Sequence, residues 1–427
     1  MSASGLGHRQ QLAAIAAAAM RAQGLDPAFP HEVIEQVASL REPSAGGPEA
    51  VRDLRHLLWC SIDNDGSRDL DQLSVAERVS ICSVRVLVAI ADVDALVERG
   101  TPVDRHAALN TTSVYTPAVI FPMLPERLST DLTSLGADVD RLAIVIEMVV
   151  GSDGTVGATD MYRAIVRNQA KLTYRGVDAW LTGRGDLPAA AAAVPGMEAQ
   201  LRLQDDVAQR MNRVRHEHGA LEFDTAEAEP EFDGDVLVQM RPEGRSRATE
   251  LIENLMIAAN GVTARFLEGR GFPSIRRVVK APARWDRIVA LAAQVGETLP
   301  AEPDSRALAA FLAKRRAVHP EGFAELSHMV VRLLGPGQYL VESPGGEVPG
   351  HFGLAVKDYT HSTAPNRRYP DLLTHRLVKA ALAGEPVPYP VEVLGQLAAH
   401  CMQQENAANK VERQVRKAAT AMLVAGR

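Results

Sequence analysis

Ser61-Ile62-Asp63-Asn64-Asp65-Gly66-Ser67-Arg68-Asp69-Leu70-Asp71-Gln72-Leu73 packs four aspartates into nine residues around a glycine turn. Carboxylates that close repel one another unless cations sit among them. If Asp69-Leu70-Asp71 enters a strand, alternation turns both carboxylates to one face and Leu70 into the core, and the Gly66 turn swings Asp63 back beside them. Three hard oxygen donors that leave room for water and phosphate suit Mg²⁺, which seldom takes an all-protein cage. Two other readings of these residues stay open. One is a calcium loop of the EF-hand type, against which stand a glycine at the fourth rather than the sixth position and Ser74 where a bidentate Glu belongs. The other is a solvated acidic turn, which Asp and Gly favour by themselves.

Outward from this loop, the run from Leu57 to Val150 reads as strands, with β-rich stretches at Val84–Ala91 and Leu142–Val150 between Gly, Pro and Asp turns. After Tyr162 helical spacing dominates: Val177–Leu181, Met197–His216, Arg247–Leu267, Trp285–Gln294 and Ser305–Ala317. Strand character returns around Phe223–Met240 and Gly337–Leu354, and the tail from Pro390 to Val424 reads as two helices. Residues 1–50 form a small element of two short helices, the first Ala-rich and ending near Gly24, the second running from about Pro30 to Leu40, followed by a linker at Glu42–Pro48. Residues 51–427 form the main domain. The expectation is an α+β fold.

Composition narrows the function. Of 427 residues 46% are apolar and 23% charged, which is a globular balance with a real core. A formal charge of -7 argues against a protein that coats nucleic acid indiscriminately, so any contact with a polyanion must be local. Three scattered cysteines, Cys60, Cys82 and Cys401, form no CxxC pair, which fits a reducing, cytoplasmic compartment and excludes a cysteine zinc site. The greasiest segment, Leu142–Val150, is interrupted by Glu147, so no membrane association is expected.

At this point the residues resemble the RNase II family, whose catalytic domain is called RNB. The motif I-D-x(5)-D-x-D-D is matched by Ile62, Asp63, Asp69 and Asp71, with Gln72 standing where the pattern has a fourth aspartate. Val88–Val93, Thr112–Tyr115, Pro122–Glu126, Leu132–Leu135, Ala170–Tyr174, Leu251–Asn254 through Asn260, and His361–Asp371 resemble further family segments in the expected order. The likeness runs from about Leu57 to Val424. It implies a short form, lacking the cold-shock domains of other members and with no S1 domain in this chain.

The resemblance also implies a twisted, mixed and largely antiparallel sheet packed by helices around a narrow RNA channel, and a 3′-to-5′ hydrolytic exoribonuclease that takes single-stranded RNA down that channel and releases nucleoside 5′-monophosphates. The cofactor would be Mg²⁺, with Mn²⁺ as a possible substitute, and no organic cofactor; the sequence names no protein partner. Asp63, Asp69, Asp71 and Gln72 would be the metal set, with Asp69 and Asp71 catalytic. An amide at Gln72 can ligate or position water but brings no charge and cannot act as a base. The second reading is therefore an RNA-binding protein of the same fold whose cleavage is weakened or lost.

Arg367 and Arg368 would face the scissile phosphate, where a guanidinium binds in bidentate fashion, and family position favours Arg367 as the catalytic one. Tyr115 and Phe223 correspond to rings that stack on terminal bases. Glu253 and Glu412 correspond to carboxylates near the terminal sugar, where a 2′-OH can donate to them. Tyr174 is a further RNA-contact candidate. His375, Arg376 and Lys379 on one helix, with Lys410, Arg413, Arg416 and Lys417 on another, would offer a basic path for the backbone.

Overall fold

The computed structural model describes residues 7–42, 51–224 and 227–425. Two helices open the chain, α1 (His8–Ala22) and α2 (His31–Ser39), as the sequence predicts. The linker read at Glu42–Pro48 lies, from residue 43 onward, outside the described residues.

The central sheet takes strands from the first part of the chain. These are β1 (Arg52–Asp53), β2 (Cys60–Asp63), β3 (Gln72–Arg78) and β4 (Ser83–Ala91), then, after helix α3 (Pro102–Asn110) and a small hairpin of β5 (Val114–Tyr115) and β6 (Ile120–Phe121), the long β7 (Asp140–Gly151), β8 (Val156–Arg167) and β9 (Ala170–Thr173). Seven of them pair in the order β1-β8-β7-β4-β3-β2-β9. β1 with β8 and β2 with β9 are parallel; the other pairs are antiparallel. The sheet is therefore mixed and largely antiparallel, as expected. β8 was not legible because its first half is exposed and built mainly of small residues, Gly157, Ala158 and Thr159, so no alternation marks it.

Helices α4 (Tyr174–Leu181), α5 (Ala189–Ala192) and α6 (Met197–Glu217) follow, then a hairpin of β10 (Glu227–Asp233) and β11 (Val236–Glu243). Helix α7 (Arg247–Gly269) starts on a capping box in which Ser246 and Thr249 serve each other's backbone. Buried residues all along α7, from Leu251 to Leu267, put it in the main core with the sheet. β12 (Ser274–Val278) pairs with β13 (Gln338–Glu342). Between these strands α8 (Trp285–Gln294), α9 (Ser305–Val318) and α10 (Phe323–Leu334) enclose a separate small core around Ile288, Leu308 and Val330.

The chain closes with α11 (Tyr369–Ala383) and α12 (Val391–Ala425). The tail is one helix of 35 residues rather than the two expected. Leu394, Ala398, Cys401, Ala408, Val411, Val415 and Ala419 keep one buried face across its length, and Gly395 alone does not break it. α1 lies along α12, and together with Val114 and Leu237 they form a second core. Among the described residues no helix is long and apolar enough to cross a membrane.

Candidate active site

The acidic loop spans the ends of two neighbouring strands. Asp63 is the last residue of β2, and Asp71 immediately precedes β3. Asp69 and Asp71 thus sit just ahead of the strand rather than on it, while Leu70 is buried as expected. A turn closes through Ser67 N–H to the Asn64 carbonyl, 3.1 Å. The extended Arg68–Asp71 piece is held by Ser134, whose hydroxyl donates to the Arg68 carbonyl at 2.7 Å and accepts from Leu70 N–H at 3.1 Å. Leu135 N–H donates to the Leu70 carbonyl at 2.9 Å, and Lys171 holds the Ser67 carbonyl at 2.6 Å.

Opposite the loop comes the segment that leads into α11. Asn366 N–H donates to Asp71 Oδ1 at 2.9 Å across 295 residues of sequence. Arg367 Nε stands 3.6 Å from Asp71 Oδ2. The Asn366 side chain is fixed in turn, its Oδ1 accepting from the Thr133 hydroxyl at 2.6 Å. Arg368 is otherwise engaged: it donates to Asp371 at 2.8 Å, and Asp371, fully buried, also accepts from Ala364 N–H at 2.9 Å. Of the two arginines only Arg367, 42% exposed along its side chain, stands with its guanidinium toward solvent beside the acidic loop.

A third segment completes the site. Thr111 caps α3 in a left-handed conformation, φ +59°, which costs a β-branched residue strain. Its carbonyl accepts from Tyr369 N–H at 2.8 Å, and Ser113 N–H donates to the Arg367 carbonyl at 3.0 Å. The strand carrying Tyr115 is thereby stitched to the segment carrying Arg367. From α12, Glu412 accepts the Tyr115 backbone N–H at 2.9 Å. Tyr115, Glu412, Arg367, Arg368, Tyr339 and His361 line a cleft of about 230 Å³.

The electrostatics of this meeting point are uneven. Burial drives the Asp71 carboxyl up to about 7, against the pull of Arg367 and the Asn366 N–H, with Asp69 and Asp371 adding to the rise. Asp69 is also raised, by burial first and then by repulsion from Asp63. Burial likewise pushes the Tyr115 phenol up to about 12. His361 is held well below its ordinary value by burial and by Arg368, Arg277 and Arg367 around it.

Asp71 Oδ2 is buried and makes no hydrogen bond, only the ion-pair contact with Arg367, and the Asp69 and Asp371 carboxylates repel it. That donor chemistry fits a divalent cation. Among the described residues no three His, Cys, Asp or Glu side chains are already grouped around one point. A cation would be gripped by one or two carboxylates and completed by water and phosphate, as Mg²⁺ commonly is. Asp63 is partly occupied, accepting from Asn64 N–H and the Ser67 hydroxyl, both at 2.7 Å. Gln72 opens β3, paired with Ile90, and is half-buried.

The remaining sequence-derived candidates fall elsewhere. Tyr174 begins α4 directly after Thr173, the β9 residue in register with Asp63. Phe223 packs against the small core of α8–α10. Glu253 is paired with Arg245 at 2.8 Å, and Arg245 also reaches Glu222, the neighbour of Phe223, at 4.0 Å. Neither Phe223 nor Glu253 lines the cleft. His375, Arg376 and Lys379 are not a basic path. His375 is buried, Arg376 is buried against Asp94 and Asp104 at 2.7 and 2.8 Å, and Lys379 is held by Asp92 and Asp94 at 3.0 and 2.9 Å. Their charges are consumed inside the fold by residues that follow β4 and lie in α3. Lys410, Arg413 and Lys417 do lie on the exposed side of α12. Asn366, Thr133, Ser134 and Lys171 hold the site together and were not singled out as site residues, because a neutral or stem-buried side chain leaves no local pattern.

Comparison with known proteins is specific. The family model described as the RNB domain matches residues 51–384. Ribonuclease R of Escherichia coli strain K12 is 34% identical over 415 residues, covering 93% of this chain and 50% of that protein. The chain spans about half the length of the curated relatives it matches. Mycoplasma genitalium RNase R in complex with ribose-methylated single-stranded RNA superposes with a TM-score of 0.87 at 22% identity, covering 97% of this chain and 65% of the other. The same enzyme in complex with double-stranded RNA gives 0.87 at 23% identity over 97% and 74% of the two chains. The α+β architecture is that of these ribonucleases.

Proposed function

The chain belongs to the RNB-domain family, and on that premise we propose that it is a 3′-to-5′ exoribonuclease that hydrolyses single-stranded RNA to nucleoside 5′-monophosphates. The observation that carries the reading is the meeting of Asp71, its Oδ2 buried and without a hydrogen bond, with Arg367, in a family that is metal-dependent.

Asp71 and Asp69, with Asp63 and Gln72 at the edge, would hold Mg²⁺, for which Mn²⁺ can substitute. Bound there, the ion supplies an activated water and neutralises charge on the phosphate. The protein's own part is orientation. Asn366 N–H fixes one Asp71 oxygen and leaves the other for the ion. Arg367 points its guanidinium where the phosphate gathers charge, a contact worth most in a partly desolvated site. Arg368 secures the segment through Asp371 and so keeps Arg367 in place.

Tyr115, 40% exposed at the cleft, offers its ring to a terminal base, a contact worth roughly 1–3 kcal/mol and indifferent to sequence. Glu412 beside it can accept from the 2′-OH that distinguishes RNA from DNA. Tyr174 would contribute at the Asp63 end of the loop, and Phe223 with Glu253 would meet RNA outside the cleft. Free Cys60, Cys82 and Cys401 fit a reducing, cytoplasmic setting.

Single-stranded RNA labelled at its 5′ end and incubated with Mg²⁺ tests the proposal. A ladder shortening from the 3′ end supports it. Retarded but intact RNA supports the second reading, an RNA-binding protein without cleavage, which Gln72 in place of a fourth carboxylate favours.

A further inference from the structure

The residues that face the cleft from β5 and α12 are backed by a core that the chemistry does not use. Val114 is fully buried while Tyr115, next along β5, is exposed at the cleft, the alternation of a strand packed on one face. Val114 shares its core with Leu12, Ala16, Ala19 and Met20 of α1 and with Val411 of α12. Glu412, next after Val411, is the residue that accepts the Tyr115 N–H. Glu412 is thus one residue from a side chain on the helix that α1 lies along, and Tyr115 one residue from a side chain that joins the same core through α12. The chain just beyond α1 is pinned to the same region. Asp26 N–H donates to Asn110 Oδ1 at 2.9 Å, and Asn110 Nδ2 returns a bond to the Asp26 carbonyl at 2.8 Å. Asn110 ends α3, directly before the strained Thr111 that leads into β5.

We infer that α1 is a positioning element for the grip on the RNA 3′ end: Leu12, Ala16 and Met20 fix β5 against α12 and thereby set Tyr115 and Glu412. The inference rests on the proposal that Tyr115 stacks on a terminal base. The Arg367 segment is stitched to β5 through Thr111 and Ser113 but is anchored as well by Asn366, Thr133 and Asp371, so loosening α1 weakens the hold on the substrate end more than the bond-breaking step.

The test uses the full chain with Leu12→Ala and Ala16→Glu at the buried face of α1, and Ala14→Glu on its exposed face as the control, each made with and without Tyr115→Ala. KM and kcat on single-stranded RNA are read alongside circular dichroism, and Leu12→Ala carries the test if Ala16→Glu does not fold. The expected result is a KM raised at least about fivefold with kcat within about twofold, and a markedly smaller rise once Tyr115 is alanine, the non-additivity of residues acting through one contact. Ala14→Glu matches the unmodified protein. An unchanged KM in the folded Leu12→Ala chain, or the same factor in both backgrounds, overturns the inference while leaving the Tyr115 reading intact. An unchanged KM in Tyr115→Ala alone overturns the stacking reading and the inference with it.

Discussion

Arg367 Nε lies 3.6 Å from Asp71 Oδ2, and the neighbouring Asn366 N–H binds the other Asp71 oxygen at 2.9 Å. One partner is 2% exposed and the other 42%, so the pair joins a buried anion to a cation that reaches the cleft. A buried carboxylate and a positive arm are thereby set side by side, which is the arrangement that the proposed metal-assisted hydrolysis would use.

Asp71→Asn removes the charge and keeps the shape. Cleavage should fall by at least about two orders of magnitude, the scale seen when one group that stabilises developing charge is removed, while RNA affinity stays close to that of the unmodified chain. Single-turnover cleavage beside filter binding checks this, and an equal loss of both would contradict it.

The two arginines should separate cleanly. Arg367→Ala should lower kcat by roughly 10²–10³ with little change in KM, and lysine should restore it only in part. Arg368→Ala instead strands the buried Asp371 carboxylate and should cost about 3–5 kcal/mol of stability. Thermal melting and steady-state kinetics on both variants decide between these roles.

Metal binding should follow pH in a stated direction. Folding raises the Asp71 carboxyl from an ordinary 3.8 to about 7, so in that window the folded chain keeps a proton that the unfolded chain has released. The metal-free protein therefore loses stability from this group as pH rises from about 4 to about 7. A cation competes with that proton, so Mg²⁺ should raise the melting temperature more at pH 8 than at pH 5.5. In Asp71→Asn the difference should shrink, which differential scanning fluorimetry can read.

Much of this was visible in the sequence because the chemistry is concentrated in short, unusual runs. Four aspartates around Gly66 stand out, although a calcium loop or a solvated turn could also carry them; the paired arginines after Pro365 stand out through the family resemblance, and the apolar runs of β4 and β7 declare themselves. What stayed hidden depends on distant partners. Nothing near Arg376 or Lys379 announces that Asp92, Asp94 and Asp104 will neutralise them in the interior, so their spacing read as a basic face. Asn366 and Thr133 are ordinary residues until folding brings them together across 233 positions. The long α12 was divided in two because local composition changes along it, whereas its buried stripe does not.

The interior and surface cations should respond differently to substitution. Arg376→Ala should lower stability by about 3–5 kcal/mol by leaving the buried Asp104 without its cation, and leave RNA affinity of the folded fraction unaltered. Charge reversal at Arg413 or Lys417, exposed on α12, should leave stability nearly unchanged and weaken RNA binding. It should also make the salt dependence of binding shallower, by about one unit of slope for each phosphate that is no longer neutralised. Melting curves and a salt titration of RNA affinity check both expectations.

Anomalous diffraction from crystals of the chain soaked in Mn²⁺ tests the central claim most directly. A peak is expected within bonding distance of Asp71 Oδ2. A chain that degrades RNA yet shows no manganese at Asp71, or binds it only elsewhere, would contradict that claim.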